Sequence, residues 1–187
     1  MVILEQKIGC ILFENERIKD IRGWFSVQMN TDELRKYGFR RVVQLNHSFT
    51  EETGVIRGLN YQSSPFQQAK VVRCVKGTIY SVGVNIDPSS AEFGKWIGYE
   101  LSASNSRMMF VPKTFAHGFI TLEANSEMEY FTDEIYASEN AKSIRYDDPD
   151  IGIDWTFNGR IFPNEQILSE KNRCAGTISE LRKEMAE

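Results

Sequence analysis

The sequence predicts an all-β protein, an antiparallel sandwich or barrel with a few short helices at its edges. Short segments rich in β-branched and aromatic residues recur along the chain, each closed by Gly, Pro, Asn or Ser. Helix start and stop signals occur in only two places. Parallel sheets need crossover helices between their strands, so the scarcity of helices favours antiparallel pairing.

The first elements follow from local signals. Charged residues at Glu5 and Lys7 interrupt the apolar N-terminal run, which therefore predicts a strand and not a leader peptide. Thr31 predicts the cap of a short helix that ends at Gly38. The segment 40–45 predicts the next strand.

The segment 70–87 predicts a β-hairpin with its turn at Gly77, because β-branched residues flank that glycine on both sides. Alternation within it places four side chains on one face, at Tyr80, Val82, Val84 and Ile86. Further strands are predicted at 96–101, 107–111, 118–122 and 128–132. Near the C-terminus, Thr177 and Glu180 predict a capping box before a helix over 181–186.

Length and charge narrow the class of protein. A chain of 187 residues fits one domain, expected to span 1–187. With 22 Lys and Arg against 26 Asp and Glu and no basic run, nucleic acid is an unexpected partner. No stretch approaches the roughly 20 apolar residues of a membrane-spanning helix, so no membrane partner is expected. Three widely spaced cysteines predict a reducing, cytoplasmic location.

Motifs for several common chemistries are missing. The two histidines, His47 and His117, form no HxH or HExxH pattern, so no protein-bound transition metal is expected. The chain has no GxSxG elbow, no P-loop and no GxGxxG motif, and no cofactor is expected. The aspartate-rich segment 146–155 is compatible with a divalent cation, but its irregular spacing favours a solvated turn region.

A set of polar residues remains in the strand-rich middle of the chain. Its arginine and lysine suit an anionic ligand, since guanidinium binds phosphate oxygens in pairs and ammonium adds a point charge. Each residue taken alone is equally compatible with an ordinary surface position. The set includes, among others, Gln44, Asn46, Arg57, Asn60, Lys70, His117, Tyr130 and Tyr136.

Several ordered motifs resemble those of the dTDP-4-dehydrorhamnose 3,5-epimerase family. They are VVQLNHSFTEETGVIRGLNYQ (42–62), KVVRCVKGTIYSVGVNID (70–87), FGKWIGYELSASN (93–105), VPKTFAHGF (111–119), MEYFTDEIYA (128–137) and IRYDDPDIGIDW (144–155). The resemblance implies a cupin-type antiparallel jelly roll with a few short peripheral helices. It also implies a homodimer in which the N-terminal region reaches the neighbouring subunit.

The resemblance further implies a reaction and a substrate class. In this family a 4-keto group on a nucleotide-linked hexose acidifies the hydrogens at C3 and C5; a base removes one, and a proton returns to the other face. Tyr130 matches the family's acid, and Lys70 matches a lysine near the keto and diphosphate groups. Substrate-binding positions are implied at Arg22, Gln44, Asn46, Arg57, His117 and Tyr136.

The sequence departs from the family at the centre of the mechanism. Where the family has the base histidine of RGLHYQ, this chain has Asn60, and where LSxKD supplies the aspartate partner, it has Asn172. An amide does not accept a proton in the working pH range. Ser81 stands where many members carry an acid, and Val27 stands where the RGxFxE run has a glutamate.

Three accounts are compatible with these departures. In the first, the chain is a nucleotide-sugar isomerase with altered chemistry, in which Tyr130 or Lys70 transfers the proton. In the second, it is a catalytically silent protein that binds nucleoside-diphosphate (NDP) sugars. In the third, the natural protein has histidine at position 60 and the asparagine is engineered. The paired change at Asn172 favours natural divergence, because an experimenter replacing one residue would have left the aspartate in place.

Overall fold

Two antiparallel β-sheets, packed face to face, form the molecule, so the predicted all-β jelly-roll class is confirmed. The computed structural model describes residues 1–185. The strands are β1 (Val2–Lys7), β2 (Cys10–Glu14), β3 (Ile18–Asp20), β4 (Gly23–Phe25), β5 (Gln44–Thr50), β6 (Ile56–Gln62), β7 (Lys70–Lys76), β8 (Thr78–Asn85), β9 (Trp96–Ser102), β10 (Arg107–Val111), β11 (Phe115–Thr121), β12 (Ser126–Thr132) and β13 (Ala141–Ser143).

The helices are short and lie outside the two sheets. They are α1 (Thr31–Leu34), α2 (Glu170–Arg173) and α3 (Ile178–Glu184), with single 3₁₀ turns at Arg35–Tyr37, Ser138–Asn140 and Glu165–Ile167. The capping box of Thr177 and Glu180 is present as predicted. The first helix ends at Gly38 as predicted, but its cap is Asn30 and not Thr31. Ala186, the last residue of the predicted segment 181–186, lies outside the described residues.

The strand order places the site between the sheets. One sheet has the order β1-β2-β10-β7-β12-β5, the other has β13-β6-β11-β8-β9, and β3 and β4 form a separate ribbon. Side chains of both large sheets meet in a shared apolar core that includes Val72 and Met109 from the first and Leu101 and Phe119 from the second. Their burial supplies the main free energy that holds the sheets together.

The outer faces of both sheets are also covered. The predicted face of β8 packs against C-terminal residues, including Trp155, Ile178 and Leu181. On the other sheet, Phe39 and Leu34 cover Val71 and Phe110. Within residues 1–185 no helix is long and apolar enough to cross a bilayer.

The predicted hairpin over 70–87 is wrong. Strand β7 pairs with β10 and β12, whereas β8 pairs with β9 and β11 in the opposite sheet. Gly77 turns the chain from one sheet to the other with a φ of 73°. Val72 and Cys74 then pack against Ile79 across the core, so apolar packing between sheets replaces a ladder between consecutive strands.

Two further strand predictions need correction. The strand predicted at 40–45 begins at Gln44 and continues to Thr50. Strand β6 was not predicted, because Arg57, Gly58 and Asn60 interrupt its apolar alternation.

Candidate active site

A cavity of about 780 Å³ lies between the two sheets and is closed on one side by the segment 167–172. Strands β5, β7 and β12 provide one wall, and β6 and β11 provide the facing wall. Seven of the residues singled out in the sequence line this cavity: Arg57, Asn60, Lys70, His117, Tyr130, Tyr136 and Asn172.

Gly58 allows β6 to approach β11 closely enough to place Asn60 beside His117. An added Cβ at Gly58 would lie 2.5 Å from Gly118 Cα and 2.7 Å from the His117 carbonyl oxygen. The φ of Gly58 is 125°, in the region that favours glycine. In the resulting register, Asn60 and His117 are direct partners.

Asn60 and Asn172 form one hydrogen-bonded amide pair. Asn172 Nδ2 donates to Asn60 Oδ1 at 3.3 Å, and Ser143 Oγ donates to the same oxygen at 2.7 Å. Asn172 Oδ1 in turn accepts from the backbone N–H of Gly58 at 3.3 Å and from Ser169 Oγ at 3.0 Å. The two residues therefore meet, as a catalytic histidine and its carboxylate partner would, but neither can carry a proton away.

Lys70 is a buried amine next to this pair. Its Nζ donates to the Asn60 carbonyl oxygen at 3.3 Å, and the residue is 8% exposed. Burial, with a smaller contribution from the charge of Lys171, lowers the pKa of Lys70 to about 8. The neutral amine is therefore accessible near neutral pH, with about a tenth of molecules unprotonated at pH 7.

His117 is a buried, uncharged imidazole. Its Nε2 lies 2.9 Å from Ser81 Oγ, and the residue is 6% exposed. Burial, and secondarily the charge of Lys70, lower the pKa of His117 to about 3. Ser81 carries no charge that would offset these effects, so the imidazole stays neutral at physiological pH.

Tyr130 and Arg57 lie on the two facing walls. Tyr130 and Lys70 are diagonal neighbours on β12 and β7, since Tyr130 pairs with Val72 and Lys70 pairs with Thr132. Burial raises the pKa of Tyr130, so its hydroxyl keeps its proton at neutral pH. Arg57 Nε donates to Thr50 Oγ1 and its Nη2 donates to the Phe49 carbonyl, both at 3.1 Å, which orients the guanidinium at the cavity wall.

The other sequence-predicted residues lie at or beyond the edge of the cavity. Gln44 Nε2 donates to Asn46 Oδ1, and Gln44 Oε1 accepts from the backbone N–H of Tyr136, so both residues support the Tyr136 loop without lining the cavity. Arg22 lies in the β3–β4 ribbon, exposed and ion-paired with Asp20, and does not line this chain's cavity.

Some residues of the site escaped prediction. Ser143 and Ser169 hold the amide pair, and Lys171 lines the cavity with a pKa lowered by burial. Ser169 caps α2 through the backbone N–H of Asn172, so the serine-to-asparagine spacing was a usable signal. Ser143 comes from β13, a three-residue strand with no periodicity to detect.

The aspartates of 146–155 have structural partners. Asp147 pairs with Arg145, and Asp148 accepts from the backbone N–H of Ile178 at 2.6 Å. Asp150 accepts from Ser179 Oγ at 2.7 Å. The contacts of Asp148 and Asp150 join the segment to the start of α3.

Comparison with known proteins gives a consistent result. The family model for dTDP-4-dehydrorhamnose 3,5-epimerase matches residues 6–180. A dTDP-4-dehydrorhamnose 3,5-epimerase of Shigella flexneri is 38% identical over 163 residues, covering 86% of this chain and 90% of the relative.

Solved structures agree. The dTDP-6-deoxy-D-glucose-3,5-epimerase of Legionella pneumophila in complex with dTDP-4-keto-L-rhamnose superposes with a TM-score of 0.84 at 34% identity, covering 96% of this chain and 95% of that one. A more distant match is a double mutant, histidine to asparagine and tyrosine to phenylalanine, of ChmJ, a 3'-monoepimerase from Streptomyces bikiniensis in complex with dTDP. It has a TM-score of 0.84 at 25% identity and covers 95% of this chain and 87% of that one.

Proposed function

This chain belongs to the dTDP-4-dehydrorhamnose 3,5-epimerase family of isomerases, and on that basis we propose that it binds an NDP-linked 4-keto-6-deoxyhexose and moves a proton at C3 or C5. The observation that carries the proposal is the convergence of Arg57, Lys70 and Tyr130 on one cavity. Arg57 suits the diphosphate, and the other two are the titratable groups beside the sugar.

Proton transfer in this proposal does not use position 60. The neutral amine of Lys70 removes the hydrogen that the 4-keto group has acidified, which leaves an enolate and an ammonium. Tyr130 then donates its phenolic proton to the carbon, and the resulting tyrosinate regains a proton from Lys70 or solvent. The lowered pKa of Lys70 and the raised pKa of Tyr130 both support this division of roles.

A second candidate function is binding without catalysis. The observation that favours it is the hydrogen-bonded Asn60–Asn172 amide pair, at positions where the motif resemblance predicts the family's base and its partner. The ChmJ double mutant, which carries a histidine-to-asparagine change, is described in complex with dTDP, and this supports nucleotide binding without that histidine. Proton exchange into a bound substrate distinguishes the two functions.

We further propose that the protein works as a homodimer in the cytoplasm. The β3–β4 ribbon pairs with neither large sheet, and the segment 18–27, which contains it, exposes five apolar side chains: Ile18, Ile21, Trp24, Phe25 and Val27. Docking of this ribbon on a second copy would bury them and bring Arg22 to the neighbour's cavity. Three unpaired cysteines support a reducing compartment.

Two measurements test these proposals. Thermal unfolding with dTDP, UDP, CDP and GDP should show stabilisation by at least one nucleotide, of about 2.7 kcal/mol at a hundredfold excess over its Kd. No stabilisation by any of them contradicts both candidate functions. Sedimentation equilibrium should give a dimer that Trp24→Glu dissociates, whereas Phe162→Glu, at an exposed aromatic position outside both the ribbon and the cavity, should not. A monomeric parent chain contradicts the dimer.

A further inference from the structure

We propose that Asn60 recognises the sugar as a hydrogen-bond donor to one of its oxygen atoms, with its direction set by the backbone N–H of Gly58 acting through Asn172. The inference rests on the proposed function, because it assumes that an NDP-sugar occupies the cavity. It assigns position 60 a role in binding that is independent of any role as a base.

The first step fixes the orientation of Asn172. A backbone N–H donates and cannot accept, so the atom of Asn172 that lies 3.3 Å from Gly58 N must be the carbonyl oxygen. Ser169 Oγ donates to the same oxygen at 3.0 Å. The Asn172 side chain is 5% exposed and has no room for a solvated alternative, so its Nδ2 must face Asn60.

The second step fixes the orientation of Asn60. Because Asn172 presents a donor, the facing atom of Asn60 must be Oδ1, 3.3 Å away. Ser143 Oγ donates to the second lone pair of that oxygen at 2.7 Å, so Oδ1 is fully used. Among residues 1–185 no acceptor forms a hydrogen bond with Asn60 Nδ2, and Asn60 lines the cavity.

The surroundings of Asn60 identify the class of ligand atom. Lys70 Nζ lies 3.3 Å from the Asn60 carbonyl oxygen, and His117 is the direct strand partner, so the free donor belongs to the part of the cavity that holds the reacting groups. A sugar carbonyl or hydroxyl oxygen is the complementary acceptor. If the acceptor is the 4-keto oxygen, this hydrogen bond strengthens as the enolate forms.

The donor-to-acceptor direction of the hydrogen bonds from Gly58 through Asn172 to Asn60 predicts that one substitution reverses the orientation of the Asn60 amide. An aspartate at position 172 would accept from Gly58 with one oxygen and present the other oxygen to Asn60. Asn60 would then rotate its Nδ2 toward that carboxylate and turn Oδ1 into the cavity. A donor to the ligand becomes an acceptor, although the residue at position 60 has not changed.

Calorimetric titration with dTDP and with dTDP-4-keto-6-deoxyglucose tests the inference. The Kd for dTDP divided by the Kd for dTDP-4-keto-6-deoxyglucose is the ratio that isolates the contribution of the sugar, and it falls when the sugar contributes less. We expect Asn172→Asp and the uncharged Asn60→Leu each to reduce that ratio by about tenfold. The matched control is Asn158→Asp, which makes the same change in an exposed turn outside the cavity and should keep the parent ratio.

Each outcome decides between the claims. An unchanged ratio in Asn60→Leu overturns the donor role, even if Asn172→Asp fails to fold. An unchanged ratio in folded Asn172→Asp overturns the orientation by Gly58. Failure of the parent chain to bind either compound contradicts the proposed function itself, and the inference with it.

Discussion

Asn172 Nδ2 donates a hydrogen bond to Asn60 Oδ1 at 3.3 Å, which joins a residue of β6 to the first turn of α2. The two positions are 112 residues apart in sequence, and the motif resemblance predicts that they correspond to the family's histidine and aspartate pair. Both are amides, and they satisfy one another. Two amides that satisfy each other's hydrogen bonds are expected when both positions have diverged together. Replacing them singly and together therefore separates the contribution of each position.

Restoring the pair should restore its chemistry. We expect Asn60→His alone to increase exchange at C3 or C5 only slightly, because the Asn172 amide does not stabilise an imidazolium as a carboxylate does. Asn60→His with Asn172→Asp should increase exchange by about 10²–10⁴-fold, the usual contribution of a positioned general base. NMR-detected exchange rates of the single and double variants provide the measurement.

The outcomes separate the three accounts of position 60. Full restoration by Asn60→His alone would contradict natural divergence and support an engineered asparagine. No gain from the double variant would mean that the rest of the cavity no longer supports epimerisation, which favours the silent binder.

Exchange by the parent chain should increase with pH. The proposed base is the Lys70 amine, whose pKa is lowered to about 8, so the rate should rise about tenfold per pH unit below that value and level off above it. Lys70→Gln should abolish exchange, whereas Lys95→Gln, an exposed change outside the cavity, should not. A rate that falls above pH 8 would show that the ammonium form is the active one.

The buried imidazole of His117 should weaken the fold in acid. The pKa of His117 is lowered to about 3, so the unfolded chain takes up a proton below its ordinary value of 6.5 while the folded chain does not. The free energy of unfolding should therefore fall between these values, by at most about 1.4 kcal/mol per pH unit from this group. Urea unfolding at pH 7.5 and pH 5 should show a smaller acid loss in His117→Gln than in the parent, and equal losses would refute the prediction.

Gly58 should tolerate no side chain. An added Cβ meets the backbone of Gly118 at 2.5 Å, so Gly58→Ala must separate β6 from β11 and should cost about 3 kcal/mol or more. Gly159→Ala is the matched control: it has a φ of 75° with nothing within 4 Å, and should cost only about 1–2 kcal/mol. Chemical denaturation measures both, and equal losses would mean that backbone conformation, not the close approach, dominates at Gly58.

Features of the fold that depend on local interactions were predicted correctly, whereas features that depend on contacts between distant segments were not. The alternation of Tyr80, Val82 and Val84 fixed one buried face of β8 correctly, because side-chain period is a local property. The partner of that strand was not predictable in the same way. Local turn signals at Gly77 are the same whether the chain continues in one sheet or crosses to the other, and packing across the core decides between them.

The same distinction applies to the candidate site. Motif resemblance identified Arg57, Lys70, His117 and Tyr130, which the structure places around one cavity. It did not identify Ser143 or Ser169, whose hydroxyls complete the amide pair from distant segments. The sequence of one chain does not predict that Arg22 lies outside this chain's cavity. In the proposed homodimer, Arg22 would line the cavity of the neighbouring subunit instead.

Position-resolved incorporation of solvent deuterium into dTDP-4-keto-6-deoxyglucose, followed by NMR, tests the central claim most directly. The account predicts deuterium at C3 or C5 with the parent chain, and its loss with Tyr130→Phe, because that variant retains the ring but has no proton to give. Absence of deuterium at both carbons while the compound is bound would contradict catalysis and leave a binding protein. Undiminished incorporation with Tyr130→Phe would contradict the assignment of Tyr130 as the acid.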